Sequence, residues 1–152
     1  MTADNTEAMS RREAMAVLAS APADVLARLW RESGLGNDAS VIRGPETGLV
    51  ALRGRIGGGG SPFNFGEATV TRASVKLPTG EVGHAYALGR EREKARISAT
   101  IDALRQRSGL AARIDAEILL PLRDRMRAAD DSRRAETAAT RVEFFTMTRG
   151  ED

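Results

Sequence analysis

The residues best suited to chemistry in this chain are arginines, glycines and a single histidine. The segment Arg53-Gly-Arg55-Ile-Gly57-Gly58-Gly59-Gly60-Ser-Pro-Phe-Asn64-Phe-Gly-Glu67 sets two guanidinium groups ahead of four consecutive glycines. Glycine lets backbone amides approach a ligand oxyanion closely, and arginine offers a planar fork that matches carboxylate and phosphate. The segment therefore reads as a phosphate or ligand loop. It also reads as a flexible hairpin loop, or as a close backbone contact at a subunit interface. It is neither a P-loop nor a dinucleotide fingerprint, because no Gly-Lys-Ser/Thr follows and no helix opens there. Arg43 and Arg72 join Arg53 and Arg55 in or beside strands, with Glu46 and Glu67 in the same region. These are either Arg–carboxylate pairs that support turns or a basic face for a polyphosphate. His84 is the weak catalytic candidate, as a general acid or base. It alternates with Val82, Tyr86 and Leu88, so the spacing also fits a hydrogen-bonded histidine on the core face or at an interface. One histidine and no cysteine leave no ligand set for a metal, and none is expected.

These residues sit in a glycine-rich middle flanked by helical ends. Residues 34–89 hold 13 of the 15 glycines. Ser10 and Glu13 have capping-box spacing, which predicts a helix stopped at Ala21-Pro22. A second helix follows, with Val25, Leu26, Leu29 and Trp30 facing the core, and Gly34 ends it. In the middle, Val41–Arg43, Leu49–Ile56, Glu67–Leu77 and Val82–Leu88 read as strands joined by short turns, one of them Gly44–Gly48. Arg53 and Arg55 alternate with Val50, Leu52 and Ile56. The apolar positions change parity between Val70 and Val75, which predicts a bulge or corner. Ile97, Ile101 and Leu104 mark a further helix, and Ile114, Ile118, Leu122 and Met126 another, which kinks or restarts at Pro121. The mixed charges of Arg123–Arg134 predict a solvated helix or linker. Beyond it lie Val142, Phe144, Phe145 and Met147, an apolar patch expected to fold back or dock on another chain. The expected fold is α+β: an antiparallel sheet of four to five strands, flanked by N- and C-terminal helices, with an extended C-terminal arm. Residues 1–109 form the expected core domain and 110–152 the helical segment and interaction arm.

Composition excludes several function classes. The chain has 152 residues, about one domain. Its net charge is only +2, and the pI of 9.6 is high because 21 of the 23 bases are arginine. That balance argues against a polycation for nucleic acid or membranes. No apolar run approaches the ~18 residues of a membrane helix. The polar start MTADNTEAMSRREAM lacks a signal-peptide core, so a cytoplasmic protein is expected. The absence of cysteine rules out disulfides and cysteine catalysis.

Five blocks go further. They are Arg11-Arg12-Glu-Ala-Met-Ala-Val-Leu-Ala, Arg43-Gly-Pro-Glu-Thr-Gly-Leu-Val, the long segment from Arg53 through Gly-Glu-Ala-Thr-Val-Thr-Arg72, Gly83-His-Ala-Tyr-Ala-Leu-Gly-Arg90, and Ala138-Ala-Thr-Arg-Val-Glu-Phe-Phe-Thr-Met-Thr-Arg-Gly150. In order and over nearly the whole chain, they resemble the G-subunit (PhnG) family of the phosphonate carbon–phosphorus lyase system. The resemblance implies a cytoplasmic route that uses phosphonates as a phosphorus source. In it the G subunit acts with the H, I and L proteins to displace adenine from MgATP with an alkylphosphonate, giving a ribose 1-phosphonate 5-triphosphate. It also implies a core complex of G, H, I and J, with I as the closest partner and the likelier home of the chemistry. MgATP is then a substrate of the assembly, and no cofactor is expected on this chain alone. The residues by themselves leave a second reading open: a self-sufficient phosphate- or nucleotide-binding enzyme built on the glycine loop.

Overall fold

Ser10 opens the first helix as its spacing predicts. In the computed structural model, which describes residues 9–36, 38–57 and 59–140, the Ser10 backbone amide donates to Glu13 Oε2 at 2.9 Å and the Glu13 amide donates to Ser10 Oγ at 3.3 Å. Hydrogen bonds from the Ser10 side chain and then its backbone hold the Glu13 carboxyl below its ordinary range. Helix α1 (Arg11–Ser20) buries Ala14, Val17 and Leu18, and α2 (Ala23–Glu32), entered through Pro22, buries Val25, Leu26 and Trp30.

Among the described residues the sheet has three antiparallel strands, not the expected four to five, in the order β1 (Ser40–Gly54), β2 (Phe63–Lys76), β3 (Val82–Leu88). The difference lies at Gly44-Pro45, where the sequence signals a turn. The chain instead continues as one strand and absorbs its surplus residues in register shifts between Val41 and Arg43 and between Arg43 and Glu46. Gly44 adopts φ +66°, and a Cβ there would lie 2.5 Å from the Glu46 nitrogen and 2.7 Å from the Arg72 carbonyl. Only glycine fits that bulge. Pro45 is tolerated because β1 is an edge strand, where a missing N–H breaks no necessary ladder bond. Strand β2 pairs with β3 from Val70–Leu88 to Lys76–Val82 without any shift. The change of apolar parity in β2 is therefore no bulge. Val75 faces the helices, and Val70 faces the opposite side of the sheet.

Helix α3 (Arg92–Leu104) lies along the inner face and buries Ile97, Ile101 and Leu104 together with Ala95, Ala99 and Ala103. Facing it are Ala73 and Val75 of β2 and Gly83, Ala85 and Ala87 of β3, all buried. These small residues let the helix come down onto the strand. Consequently the expected orientation of β3 is reversed: His84, Tyr86 and Leu88 point away from the helices and are exposed. Periodicity correctly separates the two faces, but the bulky face is the outer one.

After α3 the chain returns to the same core. Ile114, at the end of α4 (Leu110–Ile114), and Ile118, Leu119 and Leu122 are fully buried. Residues Asp115–Leu119 form one π-helical turn immediately before α5 (Leu120–Ala139), which carries Pro121 in its first turn. The helix thus restarts at the proline, where a missing N–H costs least. From Arg127 to Thr140 every residue of this helix and its cap is exposed, so about 20 Å of helix stands clear of the core.

Two ion pairs that no local pattern announces tie these layers together. Arg105 grips Asp115 through a fork of 2.7 and 3.0 Å, with both side chains buried. The Met9 amide donates to the same carboxylate at 3.0 Å, and Arg105 Nη2 donates to the Met9 carbonyl at 2.5 Å. Arg11 grips buried Asp102 through two 2.8 Å bonds, which hold the guanidinium firmly charged. The predicted apolar patch of Val142, Phe144, Phe145 and Met147, and Gly58 of the glycine loop, lie outside the described residues.

Candidate functional site: the outer face of the sheet

The register places residues from distant parts of the sequence in rows across the outer face. Directly paired residues of an antiparallel sheet point to the same side. Arg43, Ser74 and His84 make one row, and Glu46, Arg72 and Tyr86 the next. The following row is Gly48, Val70 and Leu88, and then come Val50 with Ala68 and Leu52 with Gly66. Six polar or titratable side chains thus form one island, bordered along the strands by an apolar strip.

Within the island the contacts are specific. Arg72 Nε donates to Glu46 Oε1 at 2.5 Å, and Arg43 Nε lies 3.4 Å from the same oxygen. One carboxylate therefore faces two guanidinium groups, leaving one positive charge in excess. Glu46 first, and then the Tyr86 hydroxyl, hold Arg72 still more firmly in its charged form. Ser74 Oγ and His84 Nδ1 are 2.8 Å apart. The His84 backbone amide donates to Asp102 Oδ2 at 2.9 Å, so the Arg11–Asp102 pair fixes the strand from which the imidazole projects. Beside the second row is a shallow depression of about 310 Å³, lined by Glu46, Leu49, Val50, Val70, Arg72 and Tyr86.

The other candidates lie elsewhere. β3 ends opposite Val70, so beyond that point β1 and β2 continue as a bare two-stranded ribbon. Arg53 pairs with Asn64 and Ala51 with Glu67 along this ribbon. Glu46 and Arg53 are seven residues apart on β1, roughly 23 Å at the usual strand rise. The structure therefore brings together Arg43, Glu46, Arg72 and His84, and sets Arg53, Arg55, Gly57, Gly59, Gly60, Asn64 and Glu67 at the distal end of the hairpin. Arg53 and Arg55 have no carboxylate partner among the described residues. Gly57 adopts φ +64° with nothing near its missing Cβ, as a tight turn at an open tip requires. Val50, Leu52 and Ile56 are not covered by the body of the protein. They are exposed along with Leu49 at 64%, Phe65 at 60% and Phe63, whose ring meets that of Phe65 edge-on. Tyr86 in the polar island and the Leu49–Phe65 ribbon were legible as residues, but their exposure was not.

Comparison with known proteins gives the chain its family. The family model described as "Phosphonate metabolism protein PhnG" matches residues 9–150. A relative from Rhizobium meliloti (strain 1021), named alpha-D-ribose 1-methylphosphonate 5-triphosphate synthase subunit PhnG, is 48% identical over 151 residues, which is 99% of this chain and 96% of the relative. A match spanning the helices, the bulged sheet and the ribbon alike leaves no part of the described fold outside it, and the chain belongs to the PhnG family of phosphonate metabolism proteins.

Proposed function

We propose that this chain acts as a subunit of a carbon–phosphorus lyase assembly rather than as an enzyme by itself. With the H, I and L subunits it supports displacement of adenine from MgATP by an alkylphosphonate, and with H, I and J it belongs to the core complex, where the I subunit is its nearest partner. In the reaction the bond from C1′ to adenine breaks, a phosphonate oxygen bonds to C1′, and adenine leaves with a proton. The triphosphate and phosphonate must be held in line for this, which is mostly a matter of positioning and charge. MgATP is a substrate of the whole, and this chain carries no cofactor of its own.

The observation that carries this reading is the bare ribbon. A two-stranded hairpin is at best marginally stable in water, and large apolar side chains left exposed along one mark a site of association. Among the described residues nothing covers Leu49, Val50, Ile56, Phe63 and Phe65, which are all exposed. The reading is tested by co-purification from cells that express the companion subunits. Replacing Leu49 and Phe65 by Asp changes the thermal stability of the isolated chain by only about 0.5 kcal/mol per site, as exposed substitutions do. The same variant loses the companion subunits from the purified complex. Retention of all subunits by the double variant, or saturable MgATP binding by the chain alone at the glycine loop, overturns the reading.

A further inference from the structure

We infer that the polar island on the outer sheet face is a receptor for a tetrahedral oxyanion, a phosphate of the nucleotide or the phosphonate group itself, with the Arg43 and Arg72 guanidinium groups as its principal donors. The inference rests on the subunit reading above for the identity of the ligand, but not for the existence of the receptor.

Three features support it. First, the island carries an unbalanced charge, because Arg43 and Arg72 converge on the single carboxylate of Glu46. Both arginines contact Glu46 through Nε, and both side chains remain partly exposed. Second, the donors come from all three strands. The register sets Arg43, Arg72, Tyr86 and the Ser74–His84 pair side by side in two adjacent rows of the outer face. That spread suits an oxyanion with three oxygens better than a planar carboxylate, which a single fork satisfies. Third, the island borders a depression of about 310 Å³, which gives room for the remainder of a ligand. Glu46 then acts as an internal placeholder. It holds the two forks in position while the site is empty and competes with the incoming anion.

That placeholder role makes the test directional. The full-length chain is titrated with inorganic tripolyphosphate and, separately, with methylphosphonate, at low ionic strength, and binding is followed by calorimetry and by the arginine Nε–H resonances. At least one probe is expected to saturate. Arg72→Gln is expected to weaken that binding by about tenfold or more, the usual scale for one charge-assisted bond. Glu46→Gln is expected to tighten it several-fold, because it frees both guanidinium groups. Thermal unfolding confirms that both variants fold. The probe that saturates identifies the source, nucleotide phosphate or phosphonate. Succinate binding as tightly as either probe overturns the inference, since it marks a receptor for carboxylates. Absence of saturable binding to both probes, or binding indifferent to Arg72→Gln, also overturns it. In the reconstituted mixture, Arg72→Gln is expected to raise the KM for MgATP or for methylphosphonate while subunit composition stays unchanged. Unchanged KM for both, with wild-type chain active, refutes the inference alone. A wild-type chain that supports no adenine release refutes the subunit reading and leaves the titration to judge the receptor.

Discussion

Gly83→Ala is expected to destabilise the protein by about 3 kcal/mol or more, at the upper end of what overpacking costs. An added Cβ would sit 1.9 Å from the Ala99 carbonyl oxygen, 2.5 Å from the Ala103 nitrogen and 2.9 Å from the Ala103 side chain. The first two are backbone atoms of α3, inside a helix whose buried face includes Ile97, Ile101 and Leu104. No rotamer change relieves such a clash. The helix must lift off the sheet or β3 must shift, and either movement opens the best-packed layer of the core. The melting temperature should fall by roughly 10 °C for a chain of this size. Gly66→Ala is the matching control, because a Cβ there meets nothing within 4 Å. It should stay within about 0.5 kcal/mol of the parent. A melting temperature for Gly83→Ala as close to the parent as that of Gly66→Ala would refute the packing described for α3.

Asp115→Ala should be the most damaging single change outside the sheet, costing about 4 kcal/mol. It leaves the buried guanidinium of Arg105 without its fork and the Met9 amide without its acceptor. An unpaired buried charge costs more than the pair itself contributes, so the second half of the prediction carries opposite sign. Removing both charges together, as Arg105→Met with Asp115→Leu, should recover most of the loss, because a packed apolar pair replaces an ion pair at little net cost. Urea denaturation measures both. A single variant within about 1 kcal/mol of the parent would mean that this pair is not held out of water as described.

Much of the fold was legible locally. The capping box at Ser10 and Glu13, the stripe from Val25 to Trp30 and the restart at Pro121 each depend on residues within one or two turns, and each stands where its signal lies. Gly44-Pro45 signals a turn in the sequence because a bulge and a turn ask for the same residues. What separates them is whether β2 continues alongside, which is a long-range fact. The orientation of β3 is hidden in the sequence for a subtler reason. The rule that large apolar residues face inward ranks Val82, Tyr86 and Leu88 above Gly83, Ala85 and Ala87. Here a helix presses so closely on the sheet that only small residues fit between. Alternating Gly and Ala within a strand was the available sign of that close approach. The candidate site was legible as a residue list but not as a place. Arg43, Glu46, Arg72 and His84 span more than forty positions, and only the strand register joins them into two rows while it sends Arg53 and Arg55 to the far end of the ribbon. The Arg105–Asp115 pair left no sequence signal, because helix periodicity says nothing of which charges a fold will bury.

The subunit role itself is tested most directly by adenine release from MgATP and methylphosphonate in a mixture of purified companion H, I and L subunits, with and without this chain. Phosphonate-dependent release is expected to be negligible in its absence, full on its addition in stoichiometric amount, and absent from this chain alone. Release at the full rate without the chain, or adenine release by the isolated chain, would contradict that role.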